Sequence, residues 1–209
     1  MIRIGLFGIR HLGKIHLKIL KGLPQYFELI GIHDIDRNAG LALQQEFNVP
    51  FFEMADDLIQ QIDAMDIVTP TPFHFDLARK AIQQNKHVFI EKPVTQTLQE
   101  STILLELATQ SDSLIQVGHV ERFNPAFIAA QPLLHQPDFI ETHRLAQFNP
   151  RGTDVPVVLD LMIHDLDIIL HVVQSPVKHI SASGVAVVSE SHDITNARIE
   201  FENGTVANL

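Results

Sequence analysis

Cysteine is absent from the 209 residues, which removes disulfides and thiolate-held metals from consideration. Basic residues are few, 15 Lys and Arg against 25 Asp and Glu, and they form no cluster long enough to track a phosphate backbone. Nucleic acid is therefore not an expected partner, since its binding rests on basic surface. No stretch approaches the roughly 20 apolar residues of a membrane span, so no membrane association is expected. The opening apolar run reaches Gly8 after seven residues, too soon for the apolar core of a signal peptide. Together these absences lead to the expectation of a soluble chain in a reducing, cytoplasmic setting. Histidine is plentiful at 12 residues but scattered, with no HExxH spacing, and no metal site is expected.

What is present is a 45% hydrophobic chain, enough for one large core or two modest ones. Its first half alternates short apolar runs with helical patterns: strands at 2–7, 27–33, 66–69, 87–90 and 114–117, helices at 12–20, 37–47, 75–84 and 98–110. That alternation is the signature of βαβ units and a parallel α/β sheet. The run 2–7 is almost continuously apolar, as a strand covered on both faces should be. The pattern breaks at Arg122-Phe123-Asn124-Pro125, which sets the expected domains at 1–121 and 122–209. In the second, 139–148 reads as a strand, 155–174 as one long apolar and buried helix, and 178–188 and 194–202 as further strands. Asn203-Gly204 is a strong hairpin signal with only five residues after it. A sheet of so few strands keeps unpaired edges and a half-covered face. The expectation is that the chain is truncated, or that a partner completes its sheet.

Gly8-Ile9-Arg10-His11-Leu12-Gly13 lies between the first strand and the first helix, where a dinucleotide fingerprint belongs. There the first glycine makes the tight turn, the second admits the pyrophosphate and the third lets helix and strand pack closely, with the helix N-terminus facing the anion. Arg10 stands at the second position. Its charge suits a pyrophosphate, while its Cβ takes space the phosphates use. Asp34 closes the second strand near the spacing at which an acid meets the adenosine ribose. A carboxylate there repels a 2′-phosphate and favours NAD over NADP. The plainer reading of Asp34 is a turn residue or N-cap ahead of Arg37; in this context the dinucleotide reading is stronger.

On the long apolar helix Asp160, His164, Asp167 and His171 recur at helical spacing along one narrow face. Burying such a stripe costs several kcal/mol unless it is paired or lines a polar cavity. One reading is a structural His–Asp network. The other is a cavity in which histidine, with a reference pKa of about 6.5, moves a proton near working pH. Glu91-Lys92-Pro93 follows a buried strand at its carboxyl end, where open α/β sheets place ligands.

Taken together, the glycine turn, Asp34, Thr69-Pro70-Thr71-Pro72-Phe73-His74, Glu91-Lys92-Pro93 and Asp160-x-x-x-His164 resemble the Gfo/Idh/MocA oxidoreductases. The likeness runs over essentially the whole chain. It implies a Rossmann doubly wound parallel sheet, followed by an incomplete α+β domain with an open, mostly antiparallel sheet. It implies NAD as cofactor, contacted by Gly8, Ile9, Arg10, His11, Leu12, Asp34, Thr69, Pro70, Thr71, His74, Glu91 and Lys92. Lys92 and His164 would flank the reacting carbon, with Asp160 assisting. The segments around Arg122 and Arg151 resemble the branch acting on nucleotide-linked amino sugars, which makes Arg122, Asn124, Arg144, Arg151 and Asp167 substrate candidates. The resemblance also implies a homo-oligomer, dimer or tetramer, and a small-molecule sugar or nucleotide-sugar substrate. The rival reading is a non-catalytic nucleotide- or sugar-binding protein on the same scaffold, favoured only by Arg10.

Overall fold

Two units make up the computed structural model, Met1–Gly118 and His119–Leu209, and the residues described are 1–146 and 156–209. In the first unit six strands lie parallel: β1 (Ile2–Phe7), β2 (Phe27–His33), β3 (Phe51–Phe52), β4 (Ala64–Ile67), β5 (His87–Glu91) and β6 (Ile115–Gly118). Their order is β3-β2-β1-β4-β5-β6. The chain therefore winds outward from β1 and then restarts at β4, and this reversal opens a crevice at the carboxyl ends of β1 and β4. The crossovers are α1 (His11–Gly22), α2 (Arg37–Phe47), α3 (Ala55–Ile59), α4 (His74–Gln83) and α5 (Leu98–Thr109).

Strand periodicity sorts the core into two layers. Phe7, Met65, Ile67, Val88 and Ile90 face one way, against Leu58, Ala78, Ile82 and Leu104 of α3, α4 and α5. Ile4, Leu6 and Ile32 face the other, against Leu17 and Leu20 of α1 and Leu43 of α2. Each large side chain buried in this way contributes about 1.5–3 kcal/mol. Local signals fix the helix ends. Thr97 and Glu100 form a reciprocal capping box at the start of α5. Asp36 caps α2 by accepting the Ala39 N–H, and Asn48 closes that helix in the left-handed conformation. β3 and α3 were not expected from the sequence; at two and five residues they are too short for periodicity to register.

The second unit holds α6 (Pro125–Ala130), α7 (Ile163–Val173) and a mixed sheet of β7 (Phe139–Glu141), β8 (Val177–Val185), β9 (Ile194–Phe201) and β10 (Val206–Asn208). The order is β7-β10-β9-β8, antiparallel except for the β7–β10 pair. The Asn203-Gly204 hairpin is present: Gly204 takes φ +92°, and Phe201 N–H donates to Thr205 O. Three expectations need correction. The strand foreseen at 139–148 is confined to Phe139–Glu141, because β10 offers it only three partners; residues 147 and 148 lie outside the described residues. The strand foreseen at 178–188 stops at Val185, because the Asp193 carboxylate gathers the Ser189 hydroxyl and the Val187, Val188 and Ser189 N–H groups into a loop. Those donors, the Ser189 hydroxyl first, hold the Asp193 carboxyl well below the usual range.

The third correction concerns the long helix. A π-helical segment, Val158–Met162, precedes α7. Only Met162, Ile169 and Val173 of the helix are fully buried, and Leu170 is 51% exposed. Ile169 and Val173 pack on Ile199, Phe201 and Ala207, so within this unit the sheet covers one flank of a helix whose sequence is apolar nearly all round.

Candidate functional site: a dinucleotide crevice and its polar surroundings

The turn after β1 is built by two glycines. Gly8 takes φ +92°, and a Cβ on it would lie 2.6 Å from Thr69 N, so only glycine fits. Gly13, on α1, rests against the turn so closely that its Cβ would stand 2.0 Å from Gly8 O. Arg10, between them, has φ −68°, a backbone any residue adopts. Its presence therefore costs the turn nothing, and its side chain lines the neighbouring pocket. α1 has no side-chain cap at its N-terminus, which leaves backbone N–H groups directed at the turn for an anion. His11 and Leu12, the first two helical residues, are exposed there.

Asp34 is not the N-cap of α2; Asp36 is. One Asp34 oxygen accepts the Ile9 N–H at 2.9 Å and the other the Asp36 N–H at 2.9 Å. The carboxylate thus ties the end of β2 to the glycine turn. Asp34, Arg10, Thr69, Pro70, Phe73 and Lys80 are among the residues lining a pocket at the carboxyl ends of β1, β2 and β4. Within it Thr69 Oγ1 is buried with no hydrogen-bond partner among the described residues, a hydroxyl suited to a ligand. The glycine cradle, the open helix N-terminus, the acid at the end of β2 and this hydroxyl together fit a dinucleotide.

His74, 1% exposed, joins two turns: its ring nitrogens lie 2.9 Å from Pro93 O and 2.8 Å from Thr69 O. Thr71 is buried beside it in the turn. The structure thus gives His74 a stapling contact between the loops after β4 and β5. Glu91 ends β5, Lys92 follows it half-buried, and the Lys92–Pro93 peptide is cis.

Sequence reading named Glu91 but missed Asp66 and His16, which meet it beside Lys92. On the face of β4 and β5 opposite Ile67 and Ile90 stand Asp66, Phe89 and Glu91, and α1 lays His16 over them. His16 Nδ1 is 2.9 Å from Asp66 Oδ2, and Nε2 is 3.3 Å from Glu91 Oε1. Burial lowers the proton affinity of His16, but hydrogen bonds to Asp66 and Glu91 and their charge outweigh it and raise its pKa to about 9. Burial likewise pushes Asp66 upward, so the cluster as a whole retains its proton. The available signal was Asp66 itself, a charge within the apolar run 64–68 of a strand buried on both faces.

In the second unit Asp160 sits within the π segment and His164 lies in the first turn of α7; both are half-buried. π turns inserted in helices recur at functional sites. The structure brings Arg122 and Asp167 together in a bidentate pair at 2.7 and 2.6 Å. Arg144 forms another with Asp165, both contacts 2.9 Å, and reaches Glu121 at 3.6 Å. Asn124 caps α6 by accepting the Ala126 N–H and donates to Glu121. These four substrate candidates fall into two groups, the Arg122–Asp167 pair and the set of Arg144, Asp165, Glu121 and Asn124, and in both the guanidinium group is already matched by acids. Arg151 lies outside the described residues. His171, the last of the stripe, meets the Gln131 side chain. Among the described residues no helix is long and apolar enough to cross a membrane.

Comparison with known proteins agrees with this architecture. The model of the Gfo/Idh/MocA oxidoreductase family, NAD-binding Rossmann fold, matches residues 2–119, and that of the Gfo/Idh/MocA C-terminal domain matches 136–209. UDP-N-acetylglucosamine 3-dehydrogenase of Acidithiobacillus ferrooxidans is 36% identical over 209 residues, covering all of this chain and 66% of that protein. The scyllo-inositol 2-dehydrogenase (NAD(+)) of Bacillus subtilis is 26% identical, again covering all of this chain and 66% of its own length. The chain thus spans slightly less than two thirds of these curated relatives. The solved structure of the Acidithiobacillus ferrooxidans enzyme superposes with a TM-score of 0.91 at 35% identity, covering all of this chain and 68% of that one. Glycine turn, strand order and both family matches agree: the chain belongs to the Gfo/Idh/MocA oxidoreductase family, with an NAD-binding Rossmann fold.

Proposed function

We propose that the chain acts as an NAD-dependent dehydrogenase that oxidises a hydroxyl of a sugar or nucleotide sugar to a ketone. The observation that carries this reading lies in the first unit. Three turns, at Gly8, Thr69 and Lys92, leave the carboxyl ends of the neighbouring strands β1, β4 and β5. A cation is thereby fixed on the same edge of the sheet as the dinucleotide cradle. NAD, when bound, supplies the hydride acceptor. His164 accepts the hydroxyl proton, and Lys92 stabilises the charge that develops on the oxygen. Asp160, four residues before His164, orients it or a substrate hydroxyl. Between substrate classes, the greater identity to the UDP-N-acetylglucosamine enzyme (36%) than to the inositol enzyme (26%) favours the 3-hydroxyl of a UDP-linked amino sugar.

Arg122, Asn124, Arg144, Arg151 and Asp167 serve the substrate in this reading. For Arg122 and Arg144 the service is indirect, through a charge-matched frame that fixes α7. A cytoplasmic homo-oligomer is part of the same proposal, supported by the exposed apolar side chains of β8, Val177, Ile180 and Val185. The test is replacement of each acid/base group. His164→Ala and Lys92→Ala should each lower turnover of UDP-N-acetylglucosamine with NAD by about 10²–10⁴-fold while leaving NADH affinity nearly unchanged. Equal losses of NADH affinity in both variants would overturn the catalytic assignment.

A further inference from the structure

The first unit buries two carboxyl groups where apolar side chains would pack at less cost, with a half-buried histidine against both. Asp66 is 3% exposed and Glu91 7%, and the His16 ring is placed between them. A buried charge group of this kind adds little stability over a hydrophobic substitute, so its presence calls for another role. Both ring nitrogens of His16 point at carboxylate oxygens, Nδ1 at Asp66 and Nε2 at Glu91. Where both carboxyl groups act as acceptors toward the ring, the arrangement is complete when both nitrogens carry hydrogen, in the imidazolium form, and the raised pKa of His16 agrees with that form. Asp66 faces His16 from β4 and Glu91 faces it from β5, with the Phe89 ring beside it at 5.9 Å.

Glu91 carries the arrangement toward Lys92. Its Oε1 is the atom near His16, while its Oε2 accepts the Lys92 backbone N–H at 3.3 Å. The space for that carboxylate is made by Gly118, its pairing partner on β6, where a Cβ would lie 2.8 Å from Glu91 Oε1. One side of the Glu91 carboxylate is therefore held by α1 and the other holds the peptide from which the Lys92 side chain starts. We propose that His16 is a positioning residue for Lys92: by clamping Glu91 against β4 it fixes the Lys92 peptide, and hence the reach of the Lys92 ammonium. The catalytic consequence rests on the reading of Lys92 given above; the mechanical coupling does not. The raised pKa of His16, about 9, keeps the clamp closed at neutral pH.

Two measurements on the full chain separate these levels. In the isotope-labelled wild-type protein, the Lys92 amide resonance should shift with the same midpoint as the His16 ring resonances, and His16→Gln should abolish that shift. A Lys92 amide that stays still while His16 titrates would overturn the proposal, whatever the activity. In steady-state kinetics, His16→Gln should lower kcat by about 10–100-fold with little change in KM for NAD, as expected when a reacting group is misplaced by a fraction of an ångström to an ångström. An unchanged kcat in a variant that merely melts earlier would reduce the cluster to a structural role and also overturn it. If the coupled titration is present in a protein that never reduces NAD, the positioning contact stands and the dehydrogenase reading falls.

Discussion

Gly13→Ala is the sharpest perturbation of the cofactor crevice. The new methyl carbon would stand 2.0 Å from Gly8 O and 2.8 Å from Gly8 C, where ordinary contact begins near 3.4 Å. Relief therefore requires a shift of about 1.4 Å, and both obstructing atoms are backbone, so no side-chain rotation provides it. Either α1 lifts from the sheet or the Gly8 turn opens. Forced overpacking costs about 1–3 kcal/mol, and a backbone obstacle puts this case at the upper end. For a unit of this size, about 3 kcal/mol corresponds to a fall in Tm of roughly 10–15 °C. The same shift carries the α1 N–H groups away from the pyrophosphate position. Losing one charge-assisted hydrogen bond, about 1.5–3 kcal/mol, should weaken NADH by roughly 10–100-fold. Gly22→Ala is the control: it lies on the same helix, and its added carbon meets nothing within 4 Å. It should leave NADH binding unchanged and stability equal or up to about 1 kcal/mol higher. Thermal melts and NADH fluorescence titrations on both variants decide the matter. A Gly13→Ala protein with Tm within about 2 °C of wild type and the same NADH affinity would refute the close-packing argument.

Asp34→Ala should weaken NADH and relax the preference for NAD over NADP, measured as the ratio of the two affinities; an unchanged ratio would mean that another group reads the ribose. Because the folded chain holds the His16 proton to about pH 9, against 6.5 for a free histidine side chain, its contribution to stability is complete below about pH 6.5 and disappears as pH rises through about 9. Melts across that window should show wild-type Tm falling toward that of His16→Gln, and parallel curves would contradict the linkage. Thr97→Ala removes one half of the capping box on α5 and should cost about 1 kcal/mol in denaturant unfolding, with no effect on NADH affinity.

The parts of this fold that rest on long-period patterns were legible in the sequence. β1, β2 and α2 fall where apolar periodicity and turn residues place them, because each is long enough to show its period and is buried in the expected way. Pairing and helix phase are another matter. β7 is short because its neighbour is short, and the π segment around Asp160 leaves no mark in residue spacing. At the site, glycines that make turns announce themselves by position. That Arg10 leaves the turn itself unstrained could not be read before folding, because its φ is invisible in the sequence. The Arg122–Asp167 and Arg144–Asp165 pairs join residues 45 and 21 positions apart, contacts that no local pattern encodes. The same holds for His16 and Asp66, whose 50-residue separation is closed only by the βαβ crossover.

The most direct test of the dinucleotide reading is a titration of NADH into the purified, folded wild-type chain, followed by nicotinamide fluorescence. Saturable binding that is weakened by roughly 10–100-fold in Gly13→Ala and kept in Gly22→Ala is the expected result. No saturable signal from a sample whose melting transition proves it folded would contradict the assignment of the Gly8–Gly13 crevice as the cofactor site.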